Sequence, residues 1–235
     1  MALAISVLDL ALSAGFTLVV AGQYLARRRH HQLLWSVALL VWTLAVAAET
    51  AASIRGGWTP ATYRVYYACG ALMVAAWLGS GSLFLVTSTR LARAFVALVG
   101  ALSLAGAVAI ATFPLDASLL GRTDALGFVE LKVFPLLPVR LLVIVANILG
   151  TLAFVGSALY SLTRLRDREF TGARAGGVLL IALGGLVAAG AHSLGALGGP
   201  GLFRTSELAA IVLIFSGYVL SSRRLPASTT VQASA

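Results

Sequence analysis

Asp9, Glu49, Arg140, Asn147, His192 and Glu207 interrupt otherwise apolar stretches of this chain. A carboxyl group in such a setting binds a proton or a cation, or pairs with a guanidinium. A neutral imidazole both donates and accepts hydrogen bonds and titrates near neutrality, so His192 can orient a ligand or report pH. Arg140 and Asn147 are seven residues apart, which is two helical turns and one shared face. That pair suits a carboxylate or a quinone-like carbonyl group. Tyr67, with Tyr63 and Tyr66 beside it, adds polar aromatic rings near the same level. The set Glu49, Arg140, His192 and Glu207, supported by Asp9, Tyr67 and Asn147, is the candidate binding constellation.

Other chemistries lack their parts. The only lysine, Lys132, lies in a connection, so a retinal Schiff base in the last apolar stretch is excluded. Two-histidine haem ligation between helices needs imidazoles at matching depth, but His30 and His31 sit in a turn. The sequence contains no HExxH pattern for zinc and no GxSxG elbow for a nucleophilic serine. No catalytic residue, metal site or cofactor is therefore assigned. A single cysteine, Cys69, allows no internal disulfide.

Helices must position these residues. The chain has 235 residues, of which 60% are hydrophobic and 11% charged, with a mean hydropathy of +0.96. A water-soluble fold of this size cannot hide so much apolar surface. The apolar runs are continuous, which excludes the alternating strands of a membrane barrel. Seven stretches are long enough to cross a hydrocarbon core of about 30 Å. They run Leu3 to Leu25, Leu33 to Ile54, Thr62 to Val86, Leu91 to Phe113, Val139 to Leu162, Ala175 to Leu197 and Ser206 to Ser222. The expected fold is an all-α, seven-helix transmembrane bundle occupying residues 1–225, followed by a short flexible tail over 226–235. The first stretch has no basic residue before it and is too long for a secretory signal core.

Arginines set the expected orientation. Arg27, Arg28, Arg29, Arg90, Arg93, Arg164, Arg166, Arg168, Arg174, Arg223 and Arg224 fall on one side. Only Arg55, Arg64, Arg122, Lys132, Arg140 and Arg204 fall on the other. The positive-inside rule then puts the C-terminus in the cytoplasm and the N-terminus outside, as in a bacterial inner membrane. The net charge of +9 resides beside helix ends, which suits anionic lipid headgroups and not nucleic acid.

With this orientation, Asp9, Glu49, His192 and Glu207 lie about 7 to 11 Å outward of their span midpoints, and Asn147 about 6 Å outward. A charge near a bilayer centre costs about 2.5 to 3.5 kcal/mol, so such residues face the bundle interior and find partners. A purely structural alternative pairs Glu49 or Glu207 with Arg140, Arg55 or Arg64 and simply locks helices together. The long connection from Pro114 to Pro138 suits a short interfacial helix or lid, or else a solvated loop. Trp35, Tyr24, Tyr160 and Tyr218 at one end, and Trp58 with the tyrosine trio at the other, fit interfacial belts. Small residues on the sixth span, Gly177, Gly184, Gly185, Ala188, Ala191, Gly195 and Gly199, and the stretch WLGSGSLF from Trp77 to Phe84, predict close helix packing.

The stretch LLWSVALLVWTLAVAAETAASI, residues 33–54, resembles the second helix of the seven-helix membrane module at the N-terminus of some bacterial sensor histidine kinases. The resemblance implies a sensory or ligand-binding membrane domain, here without a kinase portion. Two other functions fit the composition: a non-catalytic accessory subunit of a larger membrane complex with a membrane-protein partner, and a small-solute carrier.

Overall fold

The computed structural model describes the backbone of residues 2–120, 131–166, 172–198 and 200–222. The expected tail over 226–235, the centre of the long connection and the side chain of His192 lie outside the described residues. Among the described residues the structure is helical and contains no strand. Seven helices are long and apolar enough to cross a membrane, which is compatible with an integral, multi-pass membrane protein.

The first span is α1, Ala2–Arg27, and the second is α2, His30–Arg55. Gly56 closes α2 in the left-handed region at φ 76°, where its amide returns to the last turn. The third span starts with α3, Pro60–Tyr66, whose N-terminus is fixed by a reciprocal Thr59–Thr62 capping box and by Pro60 in the first turn. It widens into a π-helical segment over Tyr67–Met73 and resumes as α4, Val74–Val86. The fourth span is α5, Thr89–Thr112, capped by Ser88. A single turn, α6, Ala117–Leu120, and a 3₁₀ turn, Leu131–Val133, flank the centre of the long connection. The remaining spans are α7, Leu141–Arg166, α8, Gly172–Gly198, and α9, Pro200–Ser222.

Glycines set how near the helices come. A methyl group on Gly150 of α7 would overlap the backbone of Ala75 and Ala76, and one on Gly79 would meet the Gly150 carbonyl. Spans three and five therefore touch backbone to backbone. On α8, a methyl at Gly177 would lie 2.7 Å from the Gly217 carbonyl and one at Gly184 would lie 2.7 Å from Ile214. The α8–α9 pair is the most extensive helix contact among the described residues, as Gly177 and Gly184 of the small-residue face predict, while Gly195 and Gly199 lie outside the residues whose packing is described. WLGSGSLF is likewise a packing stretch, with Gly81 against the Trp35 ring.

Two apolar clusters fill the bundle. One joins Trp58, Tyr63, Tyr66, Tyr67, Phe134, Val139 and Phe203 at the end where α1 begins. The other joins Phe16, Trp35, Leu39, Phe154, Ile211 and Ile214 toward the opposite end. The tyrosine trio is thus buried, not a surface belt. Tyr63 stacks on Tyr67 at 5.7 Å and on Phe134 at 5.9 Å, and Trp58 meets the edge of Tyr63 at 5.5 Å. Phe134 enters from the long connection, whose two described ends are tied by the Asp116 amide donating to the Val133 carbonyl at 3.0 Å. Those ends fold onto the bundle, with Leu120, Val133 and Phe134 buried.

Candidate functional site

Between the two clusters lies a cavity of about 520 Å³, walled by α2, the third span, α7, α8 and α9. Its polar lining comes from Glu49, Tyr66, Tyr67, Arg140, Asn147, Thr151 and Glu207. Trp42, Val46, Leu78, Phe154 and Ile214 supply much of the apolar wall. Five of the candidate residues, Glu49, Tyr67, Arg140, Asn147 and Glu207, thus border one space. Asp9 lies behind it, buried on α1 within electrostatic reach of Arg204, Glu49 and Glu207. His192 belongs to α8, and its side chain lies outside the described residues.

The third span owes its role here to the π segment. Its lining residues come in pairs four apart, Tyr66 and Tyr67, Gly70 and Ala71, Val74 and Ala75, then Leu78. In a regular α-helix a four-residue repeat drifts by about 40° per step. The wider turn over Tyr67–Met73 offsets that drift and keeps the pairs on the cavity. Widening also displaces carbonyls from the regular ladder. Asn147 Nδ2 donates to the Ala71 carbonyl across the helix gap and to the Val143 carbonyl at 3.0 Å. Both amide hydrogens are spent there, so the side-chain oxygen is what Asn147 offers the cavity.

Glu49 does not pair with Arg140, Arg55 or Arg64. It forms an ion pair with Arg204, and the two side chains are only 1% and 2% exposed. Arg204 also donates to Ser53 Oγ at 3.4 Å. The expected last span starts at Ser206, which leaves Arg204 in the connection before it. Proline is instead accepted at the first helical position, and α9 begins at Pro200, bringing Arg204 into the helix. The signal was the Pro200 start together with Arg204 and Glu207 spaced by three, on one face. Arg64 is used elsewhere. Its guanidinium donates to the Ile110 carbonyl and to the Phe113 carbonyl at 2.9 Å, and sits 5.5 Å from the Phe134 ring centroid. Arg55 is exposed at the end of α2.

Glu207 faces Glu49 across the cavity wall, one turn along α9 from Arg204. The Glu49 and Glu207 carboxyl groups are in side-chain contact with each other, beside the Arg204 guanidinium. Three carboxyl groups, those of Asp9, Glu49 and Glu207, therefore surround one guanidinium. Arg140 stands apart, its charge acting on Tyr63 and Tyr67. It makes no ion pair or hydrogen bond from its side chain among the described residues. Chemically, the cavity offers an acidic wall, a separate guanidinium and an amide oxygen in an apolar enclosure. No group of three or more metal-ligating residues occurs among the described residues.

The cavity is not sealed. Ile144 and Ile148 on α7 are 44% and 54% exposed, and Ala189 on α8 is exposed, yet all three line it. Among the described residues the cavity therefore reaches the bundle surface along α7 and α8. The class defined by these features is a seven-span helical bundle with a polar, laterally open internal cavity. No protein-family model, no curated protein and no solved structure matches the chain.

Proposed function

We propose that this chain is a membrane receptor-like protein of a bacterial inner membrane that binds a small-molecule or lipid-like ligand in the outer half of its bundle. The carrying observation is the cavity of about 520 Å³ that gathers Glu49, Tyr67, Arg140, Asn147 and Glu207 from four helical spans. A ligand pocket is mostly apolar with a few convergent polar groups, and its usual volume is about 300 to 1,000 Å³. Charges that served only to lock helices would be mutually satisfied. Glu49 and Arg204 meet that description, whereas Arg140 lines the cavity without an ion pair or side-chain hydrogen bond among the described residues. The sensory part of the reading rests on the resemblance of residues 33–54. The orientation rests on the arginine distribution, with the basic end against anionic cytoplasmic headgroups.

A thermal-unfolding screen of small organic and lipid-like compounds on the purified protein tests this reading. Compounds that raise the unfolding temperature of the wild type should lose that effect in folded Arg140→Ala, Asn147→Ala or Glu207→Ala proteins. Stabilisation that is unchanged across all three variants would remove the cavity as the binding site.

A further inference from the structure

We infer that the cavity takes an amphiphilic organic cation, its ammonium head on the Glu49 and Glu207 carboxyl groups and its apolar chain leading out between α7 and α8. This rests on the proposed ligand site and names the chemistry of its occupant.

Four observations converge. First, one wall is acidic: the carboxyl groups of Asp9, Glu49 and Glu207 surround the single guanidinium of Arg204, while Arg140 lines the cavity apart from them. Second, Glu49 is 1% exposed, and it and Glu207 line the cavity with their carboxyl groups side by side. Two carboxyl groups buried together in an apolar enclosure are costly to ionise, and a ligand that brings positive charge offsets that cost. Third, the space is far too large for a bare ion and is walled by Trp42, Val46, Ile214 and Tyr66. Aromatic faces beside carboxyl groups favour organic ammonium ions. Fourth, Ile144, Ile148 and Ala189 line the cavity and are also exposed on the outside of the bundle. In a bilayer that opening meets acyl chains, so an apolar tail can leave through it without contacting water.

The chemistry has two sources, a free alkylamine or the amine of a lipid headgroup. Both share an ammonium on an apolar chain. The test uses octyltrimethylammonium, octanol and octanoate, which have the same chain and carry positive, zero and negative charge. Binding to the full-length protein is measured by calorimetry in neutral maltoside micelles. The ammonium should bind at least about tenfold more tightly than octanol, with octanoate weakest, as expected for a charge-assisted contact in a dry site. Glu207→Gln should bring the ammonium to the level of octanol. Ala189→Trp, which fills the opening away from the carboxyl groups, should weaken both. Leu104→Ala, on the far surface of α5, is the control. If Glu207→Gln fails to fold, Glu207→Asp keeps the charge and should keep the preference for ammonium.

Equal affinity for the three chains, or an ammonium affinity indifferent to Glu207→Gln, overturns the inference. Octanol binding that Ala189→Trp abolishes, without any ammonium preference, removes the cation and leaves the cavity as a ligand site. To separate the two sources, an ethanolamine lipid is added in competition. Displacement of octyltrimethylammonium assigns the headgroup, and its absence assigns the free amine.

Discussion

Glu49 on α2 and Arg204 on α9 form a buried ion pair that joins two helices far apart in sequence. Such a pair is not a simple gain in stability, because both charges lose their hydration. Removing one partner leaves the other uncompensated, at a cost of about 3 to 5 kcal/mol, while replacing both with apolar residues is often neutral. Glu49→Leu and Arg204→Met should each lower the unfolding temperature markedly. Arg204→Met should cost more, because it leaves Asp9, Glu49 and Glu207 without their cation, whereas Arg204 keeps Asp9 and Glu207 when Glu49 is removed. Thermal unfolding in micelles checks this, and equal losses would show that Arg204 serves Glu49 alone.

The approach of α4 and α7 depends on missing side chains. Gly150→Ala pushes a methyl group into the backbone of Ala75 and Ala76, so it should destabilise by about 1 to 3 kcal/mol. Gly156 lies on the same helix, but a methyl group there meets nothing within 4 Å. Gly156→Ala should therefore be neutral or stabilise by up to about 1 kcal/mol. Denaturation of the two variants side by side distinguishes close packing from helix propensity.

Asn147 holds the widened turn of the third span to α7. Asn147→Ala removes a bond between helices and should cost about 0.6 to 2 kcal/mol. Asn147→Asp should cost more, since an ionised carboxylate cannot donate to the Ala71 and Val143 carbonyls and would face both of them. Chemical or thermal unfolding of both variants gives the order.

Orientation is open to a direct check. A fluorescent protein fused after residue 235 should fluoresce, and a phosphatase fused there should be inactive, if the C-terminus is cytoplasmic. The reverse pattern would turn the cavity end of the bundle toward the cytoplasm.

Much of this was legible in the sequence because the bilayer demands it. Continuous apolar runs specify spans, and span boundaries agreed with the helices to within a few residues except at the start of α9. Depth followed from counting, since each helix rises by a fixed amount per residue, and so Glu49, Tyr67, Arg140, Asn147 and Glu207 could be grouped before their helices were seen together. The rotation of each helix was not legible. It decides that Glu49 turns to Arg204, that Arg64 turns to the Ile110 and Phe113 carbonyls, and that Asp9 lies behind the cavity wall. These outcomes depend on glycine contacts such as Gly79 with Gly150 and Gly184 with Ile214, which are relations between helices. The π segment was hidden for the same reason. It contains no proline, and it meets Asn147 of α7 at the Ala71 carbonyl and Ala45 of α2 at Gly70.

The most direct test of the whole account is an experimental density map of the protein in a lipid nanodisc. It should show an open cavity bordered by Glu49, Asn147 and Glu207, with non-protein density touching the Glu207 carboxyl group and extending between Ile148 and Ala189. A map in which α7 and α8 close on each other without a cavity, and Glu207 turns outward to lipid, would contradict it.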